Sequence, residues 1–538
     1  MEMKRTILAV VLSMAVLLLF QRYMPQPPRS APEGTPAQVQ APSTVPAPQP
    51  AWQAGAPSAN PAAPSVSPPR AEAQVVKTTL DNDLLAVDLS SRAGAVVGAR
   101  LAKYRQAAGK DAPPVQLLGS AAGMDLAGAT RLVNTAPNWG LVYAVEEQSD
   151  SRVVYVADAG NGITVRKTFT LEPNRYDLGL EVQIENTGYT TLHDRLGTVM
   201  VQDFSGQEDQ YTFFGPAYFA GEDYEEVSLK DAKEGAQASG DLSWVAFLEK
   251  YFLVALVPEQ GAGSEVRAVN HLGIDKVVEL EMAGPVFDVA PGAVQSFRYR
   301  MYLGPKEASV LTPLGSNLDR LLDYGFFNII AQPLMLFLKW IYGFIGNYGI
   351  AIIILTTLIK IMFWPLSAKS YKSMQRMKEL QPKMARLKER HGDDKERLNM
   401  EVMQLYKTHK VNPLGGCLPM LVQIPFFFAL YKILLGSIEL RHAPFMLWVT
   451  DLSAKDPYYI TPLLMGASMF LQQKMTPTTG GNETQMKMMM YGMPIIFTFM
   501  FLNFPSGLVI YWLVNNLLSV AQQGMMLRQA NANKPVPA

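Results

Sequence analysis

Hydrophobic and polar positions follow two different periods along this chain. Ile163 and Val165 alternate with Thr164 and Arg166, and Phe169 and Leu171 continue the series. Leu178, Leu180, Val182 and Ile184 alternate in the same way with Asp177, Gly179, Glu181 and Gln183. A period of two with one polar face predicts half-buried antiparallel strands. Glycine and Asn/Asp turns punctuate them, as at Asp158-Ala159-Gly160-Asn161-Gly162. The pattern holds from about residue 75 to 305 and predicts a large all-β sandwich domain over 75–310.

Beyond Leu311 the pattern becomes helical and apolar. Membrane spans are predicted at about 344–366, 414–436, 458–475, 488–504 and 507–526. Pro365, Pro419, Pro425, Pro462 and Pro494 lie in or beside them. Membrane helices tolerate proline where neighbours satisfy the freed carbonyls. At the other end, Lys4-Arg5 precedes an apolar run from Ile7 to Phe20. No small-residue cleavage pattern follows it, so residues 1–24 read as an uncleaved anchor that starts in the cytoplasm. Residues 25–74 are Pro/Ala-rich, with 14 of the 38 prolines between Pro25 and Arg70, and read as an extended tether.

Charge sets the topology. The 538 residues carry 47 basic and 47 acidic side chains, so no global field draws a polyanion. Between Ser367 and Asn412, however, twelve Lys/Arg face six acids. The positive-inside rule places that loop, 367–412, in the cytoplasm. With the first anchor running outward, a single crossing must separate the β domain from this loop. The apolar segment 320–343 is therefore expected to be an amphipathic helix along the outer interface, with Lys339, Trp340 and Tyr342 near the headgroups and a hinge at Gly343 and Gly346. The expected architecture is six transmembrane helices plus a periplasmic β domain, with both termini and a short tail, 527–538, inside.

Candidate chemistry is sparse. Lys360 lies in an otherwise apolar helix near Thr356 and Thr357. A mid-bilayer cation costs about 2.5–3.5 kcal/mol on insertion scales and is usually paired or functional. Two readings stand. Lys360 is six residues from Leu366, about 9 Å of helix rise, within snorkelling reach of the headgroups. Alternatively, Gln423, Gln472, Gln473, Asn515 and Asn516 in other spans share with it a water-accessible groove, since no acid lies deep in any span. The loop reads as a helical hairpin, with Gly392 ending one helix, and Asp393 and Glu396 forming a capping box on the next. Lys383, Arg386, Lys388 and Arg390 give it a basic face that attracts anionic lipid, and Met374, Met377, Met384, Met400 and Met403 a soft apolar one. Gly109-Lys110 lacks the Walker spacing, no HExxH motif occurs, and no intramembrane carboxylate relay is present. No metal, cofactor or enzymatic activity is expected. Cys417 is the one cysteine, so no intrachain disulfide can form.

Longer motifs narrow the reading. Asn412-Pro413-Leu414-Gly415-Gly416-Cys417-Leu418-Pro419 followed by Gln423-Ile424-Pro425-Phe426 resembles the central signature of the YidC family. Phe504-Pro505-Ser506-Gly507-Leu508 followed by Tyr511-Trp512 resembles its last-span signature, and Asp451-Leu452-Ser453, Asp456-Pro457-Tyr458-Tyr459 and Pro477-Thr478-Thr479 also fit. The resemblance implies a membrane protein insertase and chaperone of the bacterial inner membrane. It implies a five-span core, 344–526, around a hydrophilic groove open to cytoplasm and lipid. Lys360 matches the groove cation, for which many members carry arginine. Thr356, Gln423, Asn515 and Trp512 are the other groove candidates. Ile424, Pro425, Phe427 and Met493 are the candidates for contact with a sliding substrate. The β domain resembles the galactose-mutarotase-like supersandwich, but holds only His193 and His271 as histidines. Implied partners are nascent membrane proteins, the Sec translocon (SecYEG and SecDF), the ribosome and membrane lipids, with no nucleic acid read directly. The rival classes are a solute transporter or channel, and a periplasmic scaffold on a passive anchor.

Overall fold

The computed structural model describes residues 75–109, 111–119, 123–136, 139–206, 212–259, 263–322, 324–391, 394–409, 411, 418–476 and 488–532. The expected anchor, tether, residues 412–417 of the central signature and Pro477-Thr478-Thr479 lie outside them.

Seventeen strands, from Lys77–Asp81 to Val294–Pro305, pair antiparallel throughout the described β half. The strand Ile163–Leu171 alternates buried and half-buried positions as its sequence predicts, and pairs in register with Asp177–Asn186. Inward-facing Phe169, Leu180, Trp244, Leu256 and Tyr302 share one core. A smaller apolar cluster, with Ala129, Val199, Val201 and Val277, has Trp139 against it.

One inward position breaks the apolar rule. Lys167 is fully buried, and its Nζ donates to the carbonyls of Ala93 (3.1 Å), Gly94 (2.6 Å) and Gly128 (2.6 Å). Gly128 has φ 77° at a register shift against Leu192–Asp203. A bulge of this kind leaves a residue out of the ladder, and here the carbonyl of Gly128 turns to the ammonium. Burial pulls the Lys167 pKa well below the ordinary lysine value.

Two short helices, α1 (Leu229–Glu234) and α2 (Ala308–Leu314), belong to the β half. Eight more follow: α3 (Asn328–Ile345), α4 (Tyr348–Met362), α5 (Trp364–His391), α6 (Lys395–Thr408), α7 (Leu418–Gly436), α8 (Ile460–Met475), α9 (Met493–Phe501) and α10 (Ser506–Ala532). The boundaries correct several expectations. Only Gly346, with φ 68°, acts as the hinge; Gly343 lies inside α3. The expected span 344–366 breaks at Phe363, where α4 and α5 meet at 61°. Pro365 explains this break, because it has no N–H for the carbonyl of Ile361 and its ring clashes with the preceding turn. The hairpin thus starts at Trp364 rather than 367. The N-cap of α6 is Asp394, which accepts from Arg397 N at 3.0 Å, so Glu396 is one position too early for a capping box. A π turn at Met488–Gly492 precedes α9, whose first turn carries Pro494.

Gly325–Ile345 is the one described helix long and apolar enough to cross a bilayer by itself, and the bent pair α4 and α5 passes the same measure together. Ala331, Met335, Leu338 and Ile341 of α3 are buried, while Ile329, Leu336, Trp340 and Phe344 are exposed. Gln332 and Lys339 lie on one side of the helix, while the exposed residues on another side are apolar, and that outer face suits lipid. Lys339, expected at the headgroups, pairs with Glu439 at 2.5 Å, and Tyr342 stacks on Tyr348 at 3.8 Å. Leu358, Ile361, Leu463, Ile495, Phe499 and Leu517 are likewise exposed on other helices. So much uncovered apolar surface marks a membrane-facing body.

The loop between α7 and α8 joins the halves. Ile438 enters the β core and Leu440 the helical core. Arg441 donates to the carbonyl of Arg105 at 2.5 Å and lies 5.3 Å from the Phe252 ring.

Candidate functional site

Polar side chains inside the helical core form a connected line. Lys360, in the last turn of α4, donates from Nζ to Ser519 Oγ at 2.8 Å. Ser519 donates back to the carbonyl of Asn515 at 2.8 Å, and Asn515 Oδ1 accepts from Gln423 Nε2 of α7 at 3.1 Å. No carboxylate takes part. Beside this line, Asn516 donates to Ser468 Oγ of α8 at 3.2 Å. Further along α10, Gln523 donates to Tyr371 OH of α5 at 2.6 Å and to Thr476 Oγ1 at 3.3 Å. Gln522 Nε2 and Gln523 Oε1 are buried without a partner among the described residues. Buried amide atoms left in this way are ordinarily satisfied by ordered water.

The line is one-sided. Asn515 to Gln523 spans eight residues, about 12 Å of helix rise. It ends at the α5 side, where the basic hairpin begins. On the N-terminal side, Leu508, Val509, Ile510 and Tyr511 of α10 are buried in the apolar core with Phe501 and Leu452. The start of α10 is tied to the α7–α8 loop through Ser506 N to Ala454 O at 2.7 Å and Gly507 N to Leu452 O at 2.8 Å.

Among the expected groove residues, Lys360, Gln423 and Asn515 come together, each half-buried. Thr356 stands apart: it is buried and its hydroxyl donates to the Ile352 carbonyl of its own helix at 2.6 Å. Trp512 packs edge-on against Phe427 at 4.8 Å and against Phe501 at 5.0 Å, which makes it a wall of the core next to the line. Ile424 and Pro425 are half-buried on α7, and Met493 is exposed at the start of α9. Ser519, Gln522, Gln523 and Tyr371 escape sequence reading. For the three on α10 the signal is the spacing of 515, 519, 522 and 523 on one helix face; Tyr371 on α5 has none.

The hairpin carries a separate feature. Lys383, Arg386 and Arg390 line a cavity of about 320 Å³ between α5 and α6 with Glu401 and Gln404. The Lys388 side chain lies outside the described atoms. Met377 is buried in the small hairpin core, so it gives no soft surface, whereas Met400 and Met403 are exposed.

These features define a class: a membrane-embedded helical core, polar within and apolar without, attached to an antiparallel β-sandwich domain. Residues 77–337 match the family described as YidC periplasmic domain, and residues 340–534 match 60Kd inner membrane protein. The membrane protein insertase YidC of Syntrophus aciditrophicus is 40% identical over 98% of this chain and 100% of its own length. That of Geobacter sp. (strain M21) is 45% identical over 83% of this chain and 84% of its own. A crystal structure of an active YidC insertase covers 83% of this chain and 93% of its own at 17% identity, with a TM-score of 0.36. A putative aldose 1-epimerase from Escherichia coli K12 covers 43% of this chain and 99% of its own at 12% identity and a TM-score of 0.33. The chain belongs to the YidC family of membrane protein insertases, bacterial inner-membrane proteins with a periplasmic β domain.

Proposed function

We propose that the line from Gln423 through Asn515 and Ser519 to Lys360 is the inner wall of a groove that receives the polar flank of a nascent membrane protein from the cytoplasm. The observation that carries this reading is a hydrogen-bonded cation without a carboxylate inside an apolar helical body. Such a charge is costly to keep in lipid. Lys360, Gln423 and Asn515 replace the water that a short hydrophilic tail gives up, and so lower its barrier to crossing. The adjoining apolar segment leaves sideways past Phe427 and Trp512 into lipid. Transfer of that segment supplies the drive, about 0.8 kcal/mol per buried CH₂.

Topologically, α3 lies at the outer face, α4 and α7 to α10 form five core spans, and the N-terminal run is the sixth. Both termini are inside. Nascent membrane proteins are the substrates, and the Sec translocon, ribosome and lipids are proposed partners. The hairpin, through Lys383, Arg386, Lys388 and Arg390, meets the emerging chain first. A solute channel is disfavoured because the buried apolar residues 508–511 close the line on the β-domain side.

The charge is the part to test. Lys360→Glu is expected to lower insertion of substrates with acidic flanks at least tenfold at equal protein level, and Lys360→Arg to retain it. Insertion by Lys360→Glu at the rate of the unaltered protein would overturn the groove assignment.

A further inference from the structure

A second cavity, of about 540 Å³, lies where the β half meets the helical half. One wall is α3, which contributes Gln332, Met335, Leu336 and Lys339 at helical spacing. Lys432 and Leu435 near the end of α7 also line it, as do Lys250 and Lys306 from the β domain. Four lysines face three carboxylates, Glu226, Asp319 and Glu439. Lys339 and Glu439 satisfy one another at 2.5 Å.

Two further ammoniums, those of Lys306 and Lys432, complete the basic side of the lining. Lys306 is tied through its backbone N–H to the carbonyl of Tyr251 at 2.8 Å, but among the described residues neither its ammonium nor that of Lys432 has a hydrogen bond or an ion pair within 4 Å. Burial lowers the Lys306 pKa to about 8, against the opposing pull of Glu226 and Glu249. An ammonium withdrawn from water in this way gains from an anion placed beside it. Counted over the lining side chains alone, four ammoniums face three carboxylates, a difference that the single negative charge of one phosphodiester would offset. A doubly charged free phosphate would meet the three carboxylates as well.

The position of the cavity points to the source of that phosphate. Leu336 lines it and is 69% exposed, on the same apolar helix face as Ile329 and Trp340. The cavity therefore opens beside the surface that meets acyl chains, at the level where the periplasmic domain joins the membrane core. We propose that this junction is a binding site for one glycerophospholipid of the outer leaflet, with the phosphodiester between Lys306 and Lys432 and the chains running down α3 past Leu336. The occupied site would fasten the β domain to the membrane core through a lipid.

The test uses the full chain in detergent with added phosphatidylglycerol, with retained lipid counted by native mass spectrometry and thermal shift read in parallel. Lys432→Gln changes an exposed residue and is expected to weaken lipid retention three- to tenfold. Lys306→Gln with Lys432→Gln is expected to lose one retained lipid and the lipid-dependent thermal shift. Retention by Lys432→Gln equal to that of the unaltered protein would overturn the proposal, even if the double variant does not fold. Inorganic phosphate that gives the same thermal shift at equal concentration would overturn the lipid assignment. Lys360→Glu should leave lipid retention unchanged, so failure of this site and failure of the groove appear in different variants.

Discussion

Lys167 is fully buried and Lys360 half-buried, and the two have different partners. Lys167 has three backbone carbonyls for its three protons, brought by two distant segments of the sandwich. Its task is structural. Lys167→Met would leave three buried acceptors unpaired, each worth about 1–3 kcal/mol. The expected loss is on the order of 3 kcal/mol or more of β-domain stability, measurable as a lower denaturation midpoint of the full chain followed by Trp244 fluorescence. Among the described residues Lys360 has one hydroxyl partner, Ser519, and on the proposed function its remaining protons serve an incoming acceptor. The period-two pattern places position 167 inward, and the apolar run around 360 marks that lysine as unusual. Neither pattern reveals the partners, because Gly128 and Ser519 come from other elements far along the chain.

At the scale of elements, the helix ends depend on local chemistry that the sequence shows only in part. Asp456 is buried, and accepts from Tyr458 N at 2.9 Å, Thr461 N at 2.7 Å, Thr461 Oγ1 at 2.8 Å and Trp448 Nε1 at 3.2 Å. It thereby starts α8 and holds the α7–α8 loop. Asp456→Ala would release these donors, and hydrogen bonds to a charged group contribute about 1.5–3 kcal/mol each. A loss of about 3 kcal/mol is expected, checked by faster proteolysis within residues 437–459 while the β domain stays intact. The close approach of α8 and α9 depends on Gly466, where a Cβ would strike Thr498. The basic hairpin was legible from charge and periodicity. Its cap was misplaced by one residue, since Asp393 and Asp394 are equivalent to a pattern and only the backbone path selects between them.

For the molecule as a whole, the base of the β domain is sensitive to protons. Burial pushes the Glu249 carboxyl from 4.5 up to about 7, while Lys306 opposes the shift, Asp125 adds to it, and the 3.0 Å bond from Gln202 opposes it. The folded state thus holds a proton that the unfolded chain has already released. Its stabilising contribution is complete below about pH 4.5 and is lost as pH rises towards about 7. The unfolding midpoint of the β domain should fall across that window, and Glu249→Gln should flatten the slope. An unchanged slope in that variant would assign the dependence to other groups.

Local pattern in the chain suffices for the elements: strands where polarity alternates, helices where apolar residues run on, and a helical hairpin where basic residues gather. These are local or summed properties, which a chain displays without folding. Tertiary structure alone decided which polar atoms meet. Lys360, Ser519, Asn515 and Gln423 come from three helices up to 159 residues apart. Burial of apolar surface brings them together, and that drive is non-directional, so the pairing inside is set by packing and cannot be read from spacing.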